Sequence, residues 1–244
     1  MKTTLGAILL IAGVGVAQDK PKEKQEEGAN VTGVVSILGK VRTGNKPLAP
    51  DCAKVCGALT APSEAAVVDA ENHVKWAFVW VSKGLEGREF PMPAGDVLLD
   101  QQGCRYLPHV FGIRVGQKLR IRNSDPTAHN THSLPFENKE WNYGQPVQGQ
   151  ENTVVLKKPE TMVKIKCDIH DHMSSWAGVV EHPFWAVTDE AGKYAIKGLP
   201  PGKYTISAWQ EAWTTEDAKG REQAIEVKAG ESKSANFTFD KKKD

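Results

Sequence analysis

A chain of 244 residues, about 227 once a short leader is set aside, is long for one β-sandwich and sufficient for two small domains. Lysine and arginine number 31 against 30 aspartates and glutamates, a formal net charge of +1, so no global field draws the chain to nucleic acid or to an anionic membrane. With 40% hydrophobic and 25% charged residues, the composition is that of a folded soluble protein and excludes wholesale disorder and a multi-span membrane protein.

Lys2 followed by the apolar run Leu5 to Ala17, ending in Gly15-Val16-Ala17, has the charged start, short hydrophobic region and small-residue end of a secretory signal peptide, and it is too short to span a bilayer. Residues 1–17 are therefore expected to be cleaved after Ala17. No cysteine follows closely enough for lipid attachment, so the mature chain is expected to be periplasmic or secreted, with no membrane span. Residues 18–30, charged and poor in apolar side chains, read as a solvated linker.

From Val31 onward the chain is a series of short β-type runs broken by Gly, Pro, Asn and Asp, which predicts an all-β fold. Val31 to Leu38 opens residues 31–94, an N-terminal β region. Trp76 to Val81 is apolar at every position except in polarity of the indoles, as a strand covered on both faces would be. Phe111 to Val115 and Lys118 to Arg122 flank Gly116-Gln117 and predict a hairpin, its second strand turning Leu119 and Ile121 inward and Lys118, Arg120 and Arg122 outward. Thr153 to Leu156 and Met162 to Cys167 follow the same alternation. Beyond His182, Gly192 and the Pro200-Pro201-Gly202 turn separate further strands, and the last are expected at Gln223 to Val227 and Ser234 to Phe239.

The residues that carry chemistry lie in Cys167-Asp-Ile-His170-Asp-His172-Met173, where a predicted strand runs out. A thiolate, an imidazole and a thioether at this spacing form a soft donor set suited to copper, and a trigonal set of two His and one Cys with a weak axial Met is the blue-copper arrangement. The second imidazole is available in Asp125-Pro-Thr-Ala-His129-Asn130-Thr-His132, at the end of the strand bearing Leu119 and Ile121. His132 and His172 read as surface histidines, with an alternative ligand role for each. His109 is expected to pack or cap, and His73 and His182 carry no pattern. No G-x-S-x-G elbow, phosphate-binding glycine loop or H-E-x-x-H is present, so hydrolase and nucleotide chemistries have no residues to stand on. Cys167 aside, Cys52, Cys56 and Cys104 leave one disulfide and one odd thiol in an oxidising compartment. A zinc site on Cys52 and Cys56 lacks nearby partners.

The pair His129-Asn130-Thr131-His132 and Cys167-x2-His170-x2-Met173 resemble the cupredoxins, the short ligand loop being most similar to amicyanin; the likeness covers roughly Asp96 to Val180. Gly103-Cys104-Arg-Tyr-Leu-Pro-His109 is similar to a segment that precedes the copper motifs in larger methylamine-utilisation or plastocyanin-like proteins. The resemblance implies one Cu(I)/Cu(II) centre per chain, with His129, Cys167 and His170 as equatorial ligands, Met173 as the axial one, and Asn130 bracing the two ligand loops. It implies electron exit through an exposed edge of His170, and a Cys56–Cys104 disulfide with Cys52 spare; Cys52–Cys56 is the alternative. Asp171-His172 replaces the usual proline and aromatic, which makes the rim more polar and titratable. Separately, T-D-x-x-G-x-Y-x-I-x-x-L-P-P-G-x-Y-x-I-x-A at Thr188 to Ala208 resembles the carboxypeptidase regulatory-like, or transthyretin-like, β-sandwich, in which Gly33-Val-Val-Ser-Ile is similar to the opening strand.

The expected architecture is thus an all-β, Greek-key cupredoxin-like sandwich at residues 95–182 packed with a transthyretin-like sandwich at 183–240, a charged tail at 241–244, and Asn30 to about Lys46 returning to the C-terminal sheet. The expected work is single-electron transfer between redox partners, a cytochrome, dehydrogenase or oxidase among them, with no catalysis and no nucleic acid. The rival reading is a copper-delivery or a carbohydrate- or protein-adhesive module without redox turnover.

Overall fold

The computed structural model describes residues 27–39, 44–213 and 221–240. The expected signal peptide at 1–17, most of the expected linker at 18–30 and the expected tail at 241–244 fall outside the described residues. No helix among the described residues is long and apolar enough to cross a membrane.

The described chain is almost entirely β and forms two sandwiches. One sheet of the first contains β7 (Val97–Gln101), β8 (Tyr106–Leu107), β10 (Lys118–Asn123) and β13 (Glu151–Val155) in the order β13-β10-β7-β8. The other contains β9 (Val110–Arg114), β11 (His129–Leu134), β12 (Asn142–Gln145), β14 (Glu160–Lys166) and β15 (Ser174–Val180) in the order β12-β11-β14-β15-β9. β7 runs parallel to β10 and β9 parallel to β15, while the other pairings are antiparallel. This is an all-β sandwich of two sheets that mix parallel and antiparallel pairs. Alternation sets its core: Leu119 and Ile121 of β10 and Val163 and Ile165 of β14 turn inward with Leu99, Ile113, Ala177 and Val179.

The expected hairpin across Gly116-Gln117 does not form. The turn is there, with Gly116 at φ 84°, but it carries the chain from one sheet to the other. Every residue of β9 is buried although it is the edge strand of its sheet, paired with β15, while β10 pairs with β7 and β13 in the other sheet.

The second sandwich gathers strands from both halves of the chain. β1 (Ala29–Leu38) pairs with β17 (Lys193–Leu199), β20 (Ser232–Ser234) and β21 (Phe237–Asp240). Opposite it, β6 (Phe78–Lys83) lies between β16 (Trp185–Val187) and β18 (Gly202–Trp209), with β19 (Arg221–Val227) outermost. Ala29, Val31, Val35 and Ile37, all on one face of β1, are buried with Val79, Val81 and Ile206, and half-buried Gly33 lies between them on that face. The first sandwich is an insertion between β6 and β16. Smaller pieces join it to the second: the pair β2 (Asn45–Pro47) and β3 (Thr60–Pro62), the pair β4 (Val67–Val68) and β5 (Val74–Lys75), and the helix α1 (Pro50–Cys56). Proline opens α1, where its missing N–H costs nothing, and Gly57 at φ 68° closes it by donating to the Ala53 carbonyl.

β6 is apolar on both faces because both are covered. Val79 and Val81 enter the core of the second sandwich, while Phe78 joins Trp209, Val110 and Val180 between the two sandwiches. Gly112 of β9 and Gly178 of β15 stand opposite each other in register, and their bare backbones form a flat strip on the five-stranded sheet. A Cβ at Gly178 would lie 2.4 Å from the Phe78 ring, and one at Gly112 2.4 Å from the Trp185 ring. These aromatics reach the sheet only because both positions lack side chains. Gly112→Ala is expected to push Trp185 off the sheet and to lower unfolding stability by about 1–3 kcal/mol, the usual penalty of overpacking; denaturant melts followed by tryptophan fluorescence check it.

Candidate metal centre

The ligand motifs converge at one end of the first sandwich. β14 and β15 are antiparallel neighbours, and residues 167–173 join them in a loop closed on itself: Cys167 N–H donates to the Met173 carbonyl (3.2 Å) and Met173 N–H to the His170 carbonyl (3.0 Å). β11 lies on the other side of β14, with His132 opposite Lys166, which brings His129 at the start of β11 over the loop. His129, Cys167 and His170 are buried, and their donor atoms all lie within 4.8 Å of one another. Met173 is buried at the end of the same loop, in the same apolar cluster as Cys167. The structure therefore brings His129, Cys167 and His170 together, and Met173 ends the loop that carries two of them.

Asn130 ties the two ligand segments. Its Oδ1 accepts the Asp168 N–H at 2.7 Å and lies 3.3 Å from the Cys167 sulfur. Its amide group donates to Asn142 and Asp168. Its own carbonyl accepts the hydroxyl of buried Tyr106, whose phenol burial pushes well above the ordinary value.

The imidazoles are oriented from behind. His129 Nε2 lies 2.9 Å from Asp125 Oδ2, and His170 Nε2 lies 2.9 Å from Asp51 Oδ2 on α1. A carboxylate only accepts, so each Nε2 carries the proton and each Nδ1 of a neutral ring presents a lone pair. Those Nδ1 atoms face each other across 3.0 Å, and that of His170 lies 3.7 Å from the Cys167 sulfur. Two lone pairs converging in a buried site call for a cation between them. Burial disfavours a proton there: it holds His129 below its usual value despite the opposing pull of Asp125. Two imidazoles, one thiol and a thioether on the same loop fit copper by donor softness.

Asp51 and Asp125 are absent from the motif reading. Asp125 lies four residues before His129 and was legible as a nearby carboxylate; Asp51 is 119 residues from His170, and no local signal marks it. It also corrects the expected exposed edge of His170. That ring is only 2% exposed, and its outer nitrogen is occupied.

The disulfide expectation is corrected too. Cys52 pairs with Cys104, their Cα atoms 5.7 Å apart, inside the span a disulfide bridges. Cys52 is the cysteine of α1 that points into the core; the side chain of Cys56 lies outside the described residues.

The remaining histidines are held away from the cluster. His132 sits between Asp168 (2.9 Å) and Glu140 (2.8 Å) on the rim. His172 meets the Cys104 carbonyl at 3.1 Å, and burial lowers its affinity for a proton. His109 is buried between the Ser174 carbonyl and Glu211. His73 bonds Asp69, and His182 the Val81 carbonyl.

The family model described as Polysaccharide lyase family 4, domain II matches residues 169–235; it is not the transthyretin-like family that the Thr188 to Ala208 motif resembles. No curated protein matches. Similar solved structures include the copper-containing nitrite reductase of Thermus scotoductus SA-01 (18% identity over 41% of this chain and 26% of that one, TM-score 0.32), the P94A mutant of amicyanin (18%, 36% and 85%, 0.31) and a purple cupredoxin from Nitrosopumilus maritimus (20%, 34% and 99%, 0.29). The chain thus spans about a quarter of the nitrite reductase.

Glu140, then Asp168, raise the His132 pKa above its ordinary 6.5. Its contribution to stability is present below pH 6.5 and lost as pH rises through the raised value. NMR titration is expected to place His132 above 6.5, and Glu140→Gln to move it back toward 6.5 and flatten the fall in stability on the alkaline side.

Proposed function

We propose that this chain is an exported copper protein that holds one copper ion through His129, Cys167, His170 and Met173 and passes single electrons between redox partners. The observation that carries this reading is the pair of buried Nδ1 atoms facing each other at 3.0 Å beside the Cys167 thiol. Bound there, copper supplies a one-electron Cu(I)/Cu(II) couple.

The chain's own residues do the rest. Asp51 and Asp125 fix the rings so that only Nδ1 is offered, which also raises the basicity of each imidazole. Asn130 holds the backbone of Asp168 and accepts the Cys167 S–H at its side-chain Oδ1, so the sulfur is placed from a direction the rings do not occupy. Strand ends on two sheet neighbours keep the donors apart by a fixed amount, and a site that does not rearrange on changing charge suits electron transfer better than catalysis. Four protein donors leave no position for a substrate, so the reading is a carrier rather than an enzyme. With Asp51 over His170, a redox partner meets the carboxylate and α1 rather than a bare imidazole edge. Such encounters are small and weak. The leader sequence and the Cys52–Cys104 disulfide support an oxidising, periplasmic or extracellular location.

Visible absorption and EPR of the full chain after Cu(II) addition test the reading. An intense thiolate-to-copper band is expected, abolished in Cys167→Ser with near-UV circular dichroism retained. A colourless protein holding exchangeable Cu(I), or a band that survives Cys167→Ser, overturns it and favours storage or delivery.

A further inference from the structure

Neither Cys52 nor Cys104 donates to the centre, yet their sulfurs lie within 4.8 Å of the carboxylates and rings on either side of it: Cys52 beside Asp51 and His170, Cys104 beside Asp125 and His129. Gly103 and Cys104 are consecutive residues with φ of 63° and 52°. That left-handed pair, uncommon for a residue with a side chain, turns two successive N–H groups toward one point. Asp125 fills it: Gly103 N–H donates to Oδ1 at 2.7 Å and Cys104 N–H to Oδ2 at 2.8 Å. The same Oδ2 receives His129 Nε2–H at 2.9 Å. The Cys104 carbonyl accepts from His172 of the ligand loop at 3.1 Å. Across the disulfide, Cys52 follows Asp51, whose Oδ2 receives His170 Nε2–H at 2.9 Å and the Thr127 hydroxyl at 3.1 Å.

We propose that the Cys52–Cys104 disulfide is a positioning device for the metal centre: it fixes Asp51 and Asp125 together, and through them sets the ring orientation of both His170 and His129. The inference rests on the ligand reading above for its purpose, but its geometry exists without metal. α1 is seven residues long, too short to persist alone, and the Asp51 side chain is 47% exposed. The carboxylate is therefore free to leave the ring for water unless something holds the helix down. Both cysteines are fully buried in the cluster that contains Cys167 and Met173, so the bridge anchors α1 in the core that carries the ligands. The left-handed Cys104 is held by the same bond, and relaxing it would separate the two N–H groups that grip Asp125.

The decisive readout uses the metal-free full chain. In the parent, the Nε2–H protons of His129 and His170 are expected as slowly exchanging NMR signals, because each is buried and donated to a carboxylate. In Cys52→Ser/Cys104→Ser both signals are expected to be lost to exchange while the core signals of the second sandwich persist. Copper affinity is then expected to fall about 10–100-fold, the usual effect of removing groups that orient metal ligands, with altered EPR hyperfine coupling. Protected ring protons with unchanged affinity in that variant overturn the proposal and leave the disulfide a staple of the core. Should the double variant fail to fold, Asp51→Ala decides: with the disulfide intact, His170 Nε2–H alone is expected to exchange, and its continued protection overturns the proposal. A parent that gives no thiolate-to-copper band defeats the electron-transfer reading, whereas the ring protons judge the disulfide separately.

Discussion

Two imidazoles and a thiol cannot be buried at one point unless each outer nitrogen has an acceptor and each inner lone pair a use, because an unpaired polar group inside a protein costs more than its hydrogen bond returns. The first sandwich is arranged around that constraint. Asp125 and Asp51 take the outer protons, Asn130 occupies the remaining approach to Cys167, and Tyr106 secures Asn130 from behind. The inner lone pairs are left for a cation. Strand order follows from the same demand: β11, β14 and β15 must be neighbours for His129 to reach a loop that begins at Cys167 and ends at Met173.

The buried cluster of His129, Cys167 and His170 was legible in the sequence because these residues sit at strand ends in short, ordered motifs, where donor type and spacing carry the chemistry. The alternation in β10 and β14 was legible for the same local reason. What was not legible depended on contacts between distant segments. The Gly116 turn has the residues of a hairpin, and only the burial of both faces of β9 assigns that strand to another sheet. Cys52 and Cys56 stand one helical turn apart, so spacing cannot decide between them; the anchoring of α1 in the core does. Asp51 has an ordinary acidic residue's surroundings in sequence and gains its role from the helix that carries it.

The two sandwiches meet through aromatics on one side and glycines on the other. Phe78 and Trp185 lie against the strip made by Gly178 and Gly112, and Trp176 packs on Trp209 with ring centroids 5.0 Å apart. His109 adds a polar tie, joining Ser174, next to Met173, to Glu211 beyond β18. Burial opposes a charge on Glu211, but its bond to His109 prevails and keeps the carboxyl below its usual value. The ligand loop is therefore braced from the second sandwich as well as from its own.

β1 runs parallel to β21, with Val35 opposite Phe237, and the whole first sandwich lies between them in the chain. A strand synthesised early therefore waits for one synthesised some two hundred residues later. Closing so long a loop is slow, and until it closes one edge of β1 lacks β20 and β21. Such a chain is poorly suited to folding as it is made. The pairing that completes the second sandwich becomes available only when nearly all of the chain has been made.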